Sequence, residues 1–363
     1  MNNVECWRED CSGCGICVAV CPVKAITLEK ENGFLRPKIN DLCVNCGKCI
    51  AMCPNVKQDA CDYNFFAERI WGHSCNQDVR REAASGGVTS ELLHYLMRRN
   101  FVDYVITAEQ YDNKSVCTIC EPDLIDIYEK AGSNYCPVDM SGVIEKIRQK
   151  EGVCAVVCLP CYARGLRTLM SEDAELSAKI KYIIALLCNH LPSYHATEYL
   201  LKRYRIKETD SIKYRGDGWF GNFRVYKKGR QVALIPFTEY FSTAFSRYFW
   251  QNACVKCSDH FGKYADICMG DADFVKYRYP DKDNLGETIC FIVNRELKDI
   301  LHKMEKEQIL NLYNDVTEDE LQTIYGPLSE VHRAEKCALE QDIDKIFQIE
   351  RGSLLKKIKR WIH

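Results

Sequence analysis

The chain has 363 residues, 47% of them hydrophobic, which is enough for two or three units with real cores and excludes a disordered carrier. Lysine and arginine number 49 against 51 aspartates and glutamates, a formal net charge of -2, so nothing in the overall balance points to nucleic acid or a generally anionic partner. The 23 cysteines are the outlier. The opening MNNVECWRED has charges and no apolar stretch, and no later apolar run approaches the roughly 20 residues of a bilayer-spanning helix. The expectation is a soluble, cytoplasmic protein whose reduced thiols serve soft metal centres rather than disulfides.

One pattern occurs twice: residues 11–22 read CSGCGICVAVCP and residues 43–54 read CVNCGKCIAMCP. In each run the first three cysteines lie on a tight, glycine-containing loop that lets three thiolates converge on one cubane. A pair of zinc sites is the alternative, but zinc favours two separated CxxC pairs, whereas this spacing packs four sulfurs too closely for one tetrahedral ion. Over residues 5–60 the segment resembles the bacterial two-cluster ferredoxin family. There the fourth cysteine of each run ligates the other cluster, which assigns Cys11, Cys14, Cys17 and Cys53 to one 4Fe-4S cluster and Cys43, Cys46, Cys49 and Cys21 to a second. Pro22 and Pro54 end the loops, and Gly15 and Gly47 let backbone approach inorganic sulfur. Cys6 and Cys61 have no ligand spacing and read as packing thiols.

Past the aromatic stretch at 63–71 the chain changes to apolar runs and amphipathic segments, which puts a boundary near residue 62. A helix is expected near 87–99, with Leu92, Leu93, Leu96 and Met97 on one face. Strands follow near 102–108, 153–158, 180–187 and 289–293, and helices near 139–150, 160–170 and 192–204. That order gives an α+β ferredoxin-like N-terminal domain at 1–62, a larger α/β domain with a mostly parallel sheet at 63–325, and a helical tail at 326–363. Ser85, Gly86 and Gly87 open the first helix, where free amides and the dipole suit a phosphate; an ordinary helix start capped by Ser85 is the competing reading. Cys117 and Cys120 form a CxxC within a strand-like VCTIC, and read as buried thiols.

In a parallel sheet, ligands bind at the carboxyl ends of the strands. Cys161 and Cys188 stand just beyond two such ends, and Cys254 and Cys257 form a lone CxxC that fills half of a four-coordinate site. Together the four make a third centre, which spacing alone leaves open to either iron-sulfur or structural zinc. Cys158 is a substitute candidate for Cys161. His190 and His73 read as hydrogen-bonded loop histidines. The tail RGSLLKKIKRWIH places Leu354, Leu355, Ile358, Trp361 and Ile362 on one helical face, a candidate for peripheral contact with an anionic inner-membrane surface or for docking on protein.

Several short motifs are spread along residues 67–325: ASGGVTS at 84–90, AGSNY at 131–135, LPCYARGL at 159–166, ALLCN at 185–189, CVKC at 254–257 and ADICMGD at 265–271. Through them the chain resembles the family of coenzyme F420 hydrogenase/dehydrogenase beta subunits, flavoproteins that pass electrons between iron-sulfur clusters and a hydride-carrying substrate. The resemblance implies a 4Fe-4S cluster on Cys161, Cys188, Cys254 and Cys257. It further implies FAD held by Ser85, Gly86, Gly87, Ser90, Gly132, Ser133, Asn134 and Tyr135. The family usually has Lys at Asn134, Thr at Ser90 and GTPCQ where residues 158–162 read CLPCY, which puts the natural hydride partner in doubt.

The implied activity is an oxidoreductase, because a flavin joins one-electron clusters to two-electron carriers. Its partners would be a redox protein such as a ferredoxin or dehydrogenase subunit and a small-molecule hydride donor or acceptor; no catalytic side chain stands out. An electron-transfer subunit without a substrate site and a non-enzymatic iron-sulfur scaffold are the competing classes.

Overall fold

A computed structural model describes residues 2–56, 59–111, 114–122, 127–244, 247–279 and 285–330. Cys337 and the amphipathic tail at 354–362 lie outside the described residues. Each N-terminal cysteine run turns into a short helix, Ile16–Val20 and Lys48–Ala51, started by Gly15 at φ 82° and Gly47 at φ 77°, a backbone that a side chain would strain. Between them β1 (Ile26–Glu31) and β2 (Phe34–Ile39) pair as an antiparallel hairpin.

The larger part is built on a nine-stranded sheet. Its strands in chain order are β3 (Glu68–Ser74), β4 (Tyr104–Tyr111), β5 (Lys114–Cys120), β6 (Val138–Asp139), β7 (Cys154–Cys158), β8 (Ile180–Leu186), β12 (Ile267–Asp271), β13 (Thr288–Ile292) and β14 (Leu310–Tyr313). Three intervening strands, β9 (Ser211–Lys213), β10 (Asn222–Lys227) and β11 (Arg230–Pro236), form a separate antiparallel sheet. The large sheet runs β14-β3-β13-β12-β8-β7-β4-β5-β6.

The expectation of a mostly parallel sheet is corrected: the sheet is mixed. β12–β8, β8–β7, β7–β4 and β5–β6 pair parallel, whereas β14–β3, β3–β13, β13–β12 and β4–β5 pair antiparallel. β5 begins almost at once after β4, too soon for the crossover that a parallel neighbour requires.

The central strands are covered on both faces. In β7 all of CAVVC is buried, the unbroken apolar run of an interior parallel strand. Its alternate residues feed two cores, Cys154, Val156 and Cys158 on one side, Ala155 and Val157 on the other. The helix Pro160–Glu172 covers the first face with Tyr162, Ala163, Leu166 and Leu169. Helices Val88–Arg98 and Arg295–Lys306 cover the second; Leu297, Ile300, Leu301 and Met304 form an i, i+3, i+4, i+7 stripe behind an Asn294 cap. A continuous helix, Glu318–Glu330, crosses the expected limit at 325, with Leu321 and Tyr325 buried in the first core.

The N-terminal segment shares that first core, contributing Ile16, Val20, Ile26 and Met52. Polar contacts reinforce the dock: Arg164 donates to the Pro54 carbonyl at 2.8 Å, the Tyr194 amide to the Gly33 carbonyl at 2.9 Å, and Lys256 meets Asp10 at 2.7 Å. Gly165 makes the approach close enough, since a Cβ there would stand 2.6 Å from Ile16 Cγ1. Gly165→Ala should therefore destabilise the chain by about 1–3 kcal/mol through overpacking, read as a lower midpoint in anaerobic chemical denaturation. No described helix is long and apolar enough to cross a membrane.

Candidate functional site

Cys161 sits in the first turn of the helix that follows β7; Pro160 occupies the opening helical position, where no amide hydrogen is needed. Cys188 stands just past β8 and is stitched to the CxxC loop: its amide donates to the His260 carbonyl at 3.1 Å, and His260 Nδ1 lies 2.8 Å from the Cys188 carbonyl. Cys254 Sγ accepts from the Leu191 amide at 3.4 Å and from the Gln251 side chain at 3.6 Å.

Burial pushes the Cys161 thiol up to about 11, with the charge of Cys254 adding. It pushes Cys257 up to about 11, where the Asp259 amide opposes and Cys161 adds, and it pushes Cys188 well above the usual range, with Cys254, Cys161 and Cys257 adding. The four thiols thus share one neighbourhood. Cys158 is walled in on β7, and its charged neighbours are Cys161 and Cys117 rather than the CxxC pair. Cys117 and Cys120 lie in β5; Cys120 and Cys61 are buried, whereas Cys6 is exposed, contrary to its reading as a packing thiol.

The N-terminal thiols reach this neighbourhood. Cys14 is raised by burial and then by Cys161, ahead of Cys11 and Cys17. Cys17 is raised by burial, then by Cys11, Cys53 and Cys49, so Cys53 of the second run stands beside the first. Cys49 is raised by burial, with Cys46 adding. Cys21 Sγ accepts from the Ala25 amide at 3.2 Å, and Cys43 Sγ from Asn3 at 3.7 Å. Among the described residues no three His, Cys, Asp or Glu side chains stand close enough to hold a single ion; the thiol neighbourhoods are wider than that.

On the other side of Cys188 lies a cavity of about 640 Å³ at the carboxyl edge of β7, β8 and β12. It is lined by Ser85, Gly87, Ser90, Gly132, Ser133, Asn134, Tyr135 and Cys188, together with Phe220, Phe237, Lys130, Arg215 and Lys276. The helix Val88–Arg98 opens at Gly87, φ 83°, without a side-chain cap, so its first amides are available to an anion. Aromatic walls, glycine turns and an uncapped helix start suit a flat ring carrying phosphate. Of the residues expected here, Gly86 alone is absent from the lining. A Cβ on it would stand 2.6 Å from the Gly72 carbonyl oxygen, so it serves strand packing. Ser85 neither caps the helix nor offers a free hydroxyl: its Oγ donates to the Glu287 carbonyl.

Sequence reasoning missed a charged group in the same wall. Arg215 is buried and donates to Asp271 at 2.8 and 3.3 Å and to the Tyr135 hydroxyl at 3.2 Å; Trp219 adds a bond to Asp271 at 2.9 Å. Asp273, two residues on, also lines the cavity, with Oδ1 sealed from solvent and without a hydrogen bond. Burial, with the charge of Asp271 adding, pushes it up to about 7, while Lys276 and Arg215 oppose. The Arg215–Asp271 pairing spans 56 positions, so no local spacing announces it.

Three family models match the chain. Residues 70–145 match the N-terminal and residues 153–317 the C-terminal region of the coenzyme F420 hydrogenase/dehydrogenase beta subunit, and residues 10–56 match a 4Fe-4S dicluster domain. The chain belongs to the family of coenzyme F420 hydrogenase/dehydrogenase beta subunits. One of the F(420)H(2) dehydrogenase subunits of Methanosarcina mazei is 25% identical, with 94% of each chain covered. A coenzyme F420-dependent sulfite reductase of Methanocaldococcus jannaschii is 26% identical over 72% of this chain but only 43% of its own length. In the solved F420-reducing [NiFe] hydrogenase complex of Methanosarcina barkeri, one chain shares the fold with a TM-score of 0.56 at 17% identity, covering 76% of this chain and 93% of that one.

Asn134 accepts from the Ser115 hydroxyl at 3.4 Å, and Lys130, Arg215 and Lys276 also line the cavity. Asp273 gives the cavity a measurable pH signature. A carboxyl raised on folding contributes stability that is present at acid pH and lost as pH climbs from about 4 to about 7. Asp273→Asn should leave the anaerobic unfolding midpoint unchanged near about pH 4 and raise it relative to the parent near about pH 8.

Proposed function

We propose that the chain is an iron-sulfur flavoprotein oxidoreductase in which electrons pass, in either direction, between two N-terminal clusters, a third cluster and FAD in the cavity. The assignments are Cys11, Cys14, Cys17 and Cys53 for the inner N-terminal cluster, Cys43, Cys46, Cys49 and Cys21 for the outer one, and Cys161, Cys188, Cys254 and Cys257 for the third. The observation that carries the reading is continuity: Cys14 lies near enough to Cys161 to feel its charge, and Cys188 belongs both to the thiol group and to the cavity wall. Cys46 and its neighbours Leu42 and Val44 are exposed, which suits a contact with a one-electron protein partner. The N-terminal unit is read as ferredoxin-like, the domain limits as 1–62 and 63–325.

Flavin, when bound, supplies the conversion between single electrons and hydride. The chain's own residues do the rest. The uncapped amides after Gly87 would hold the phosphates, and Phe220 and Phe237 would shield the site from water. Arg215, fixed by Asp271, presents a permanent positive charge, and Asp273 keeps a carboxyl proton at hand near neutral pH. Arg215 and Lys276 stand beside Asp271 and Asp273 in the wall, and the names of the relatives make the F420 coenzyme the first hydride carrier to test. A second reading, a relay component delivering electrons to a partner enzyme, draws on the relatives from the dehydrogenase and the hydrogenase complex. The two separate on whether reduced carrier alone bleaches the bound flavin.

Replacing Cys257 with Ser tests the third centre. The parent should carry about twelve irons per chain, and the variant should lose about four while the N-terminal clusters persist. An unchanged count would contradict the assignment.

A further inference from the structure

Arg164 is 5% exposed and sits in the helix that begins at Pro160, one turn beyond Cys161. Its NH1 donates to the carbonyl of Pro54, the residue after Cys53, at 2.8 Å. Its NH2 lies 3.6 Å from Oδ2 of Asp259, two residues beyond Cys257, and Tyr264 presents its ring 5.6 Å from the guanidinium carbon. Three segments that carry assigned cluster ligands therefore converge on one buried cation. Asp259 Oδ1 takes the amides of Phe261, Gly262 and Lys263, while its Oδ2, sealed from solvent and without a hydrogen bond among the described residues, meets Arg164 only at ion-pair distance.

The guanidinium is under-satisfied. Nε and NH2 are sealed from solvent and have no hydrogen-bond acceptor among the described residues. A buried arginine with two unmet donors costs stability unless something accepts from them, and the sulfurs of an adjoining cluster are acceptors of the right kind.

We propose that Arg164 donates hydrogen bonds to the third cluster and, as a fixed positive charge, raises that cluster's reduction potential, so that it collects electrons from the N-terminal pair. The inference rests on the third-cluster reading above. Reduction adds one electron to the cluster and neither proton nor bond, so a permanent nearby cation favours the reduced state directly.

The experiment is a potentiometric titration of the full-length, anaerobically purified chain followed by low-temperature electron paramagnetic resonance, with iron counted on each sample. In Arg164→Gln the third cluster should show an about tenfold lower reduced-to-oxidised ratio at fixed poise, a downward shift of about 59 mV for a one-electron couple. The outer N-terminal cluster should not move, and Arg164→Lys, which keeps the charge, should recover part of the shift. An unmoved third cluster in Arg164→Gln overturns the proposal. So does loss of that cluster in both variants alike, which would make Arg164 a packing residue only. A parent protein with only about eight irons would instead remove the third-cluster reading itself.

Discussion

Burial makes a thiol hard to ionise, and this chain buries cysteines in groups. Cys161 and Cys257 are pushed up to about 11, and Cys14 and Cys188 well beyond their ordinary value, by desolvation first and by one another second. Bringing such groups together works against their ionisation unless a cation draws the protons off, which is what metal ligation does. The rest of the architecture holds these groups in place. Parallel strands β7 and β8 deliver Cys161 and Cys188 to one edge, the His260–Cys188 contacts tie the CxxC loop to them, and the packing of Gly165 on Ile16 brings the N-terminal repeat alongside.

That arrangement gives the cavity two unlike neighbours. Toward the N-terminus lie half-buried, clustered thiols; toward the sheet edge lies a polar wall where Arg215 balances Asp271, while Oδ1 of Asp273 has no hydrogen bond among the described residues. Burial first, and the charge of Asp271 second, hold the Asp273 carboxyl above its ordinary range beside the Arg215–Asp271 pair.

Much of this is readable in the sequence, for reasons that differ by feature. The eight N-terminal cysteines stand out because they recur at the short local spacing that cubane ligation would require, and the strand ends at Cys161 and Cys188 because buried parallel strands are unbroken apolar runs. The helix Arg295–Lys306, absent from the expected elements, carries an equally plain apolar stripe and cap. Strand direction is not readable: β13 (TICFI) is as apolar as β7, and nothing local says that it runs antiparallel between β12 and β3. Nor are the roles of Ser85 and Gly86, since both are spent on β3 and β13, whose approach only the folded sheet defines. Arg164 has no role legible in its own motif, because its partners come from two distant segments, at Pro54 and at Asp259 to Tyr264.

The central claim is that the N-terminal and third cluster sites adjoin through Cys14 and Cys161. The direct measurement is low-temperature electron paramagnetic resonance of the fully reduced, anaerobically isolated chain, with spins integrated and spectra taken at two microwave frequencies. The account predicts about three spins per chain with frequency-independent splittings from magnetic interaction between neighbouring clusters. Two spins only, or three that behave as isolated centres, would contradict it.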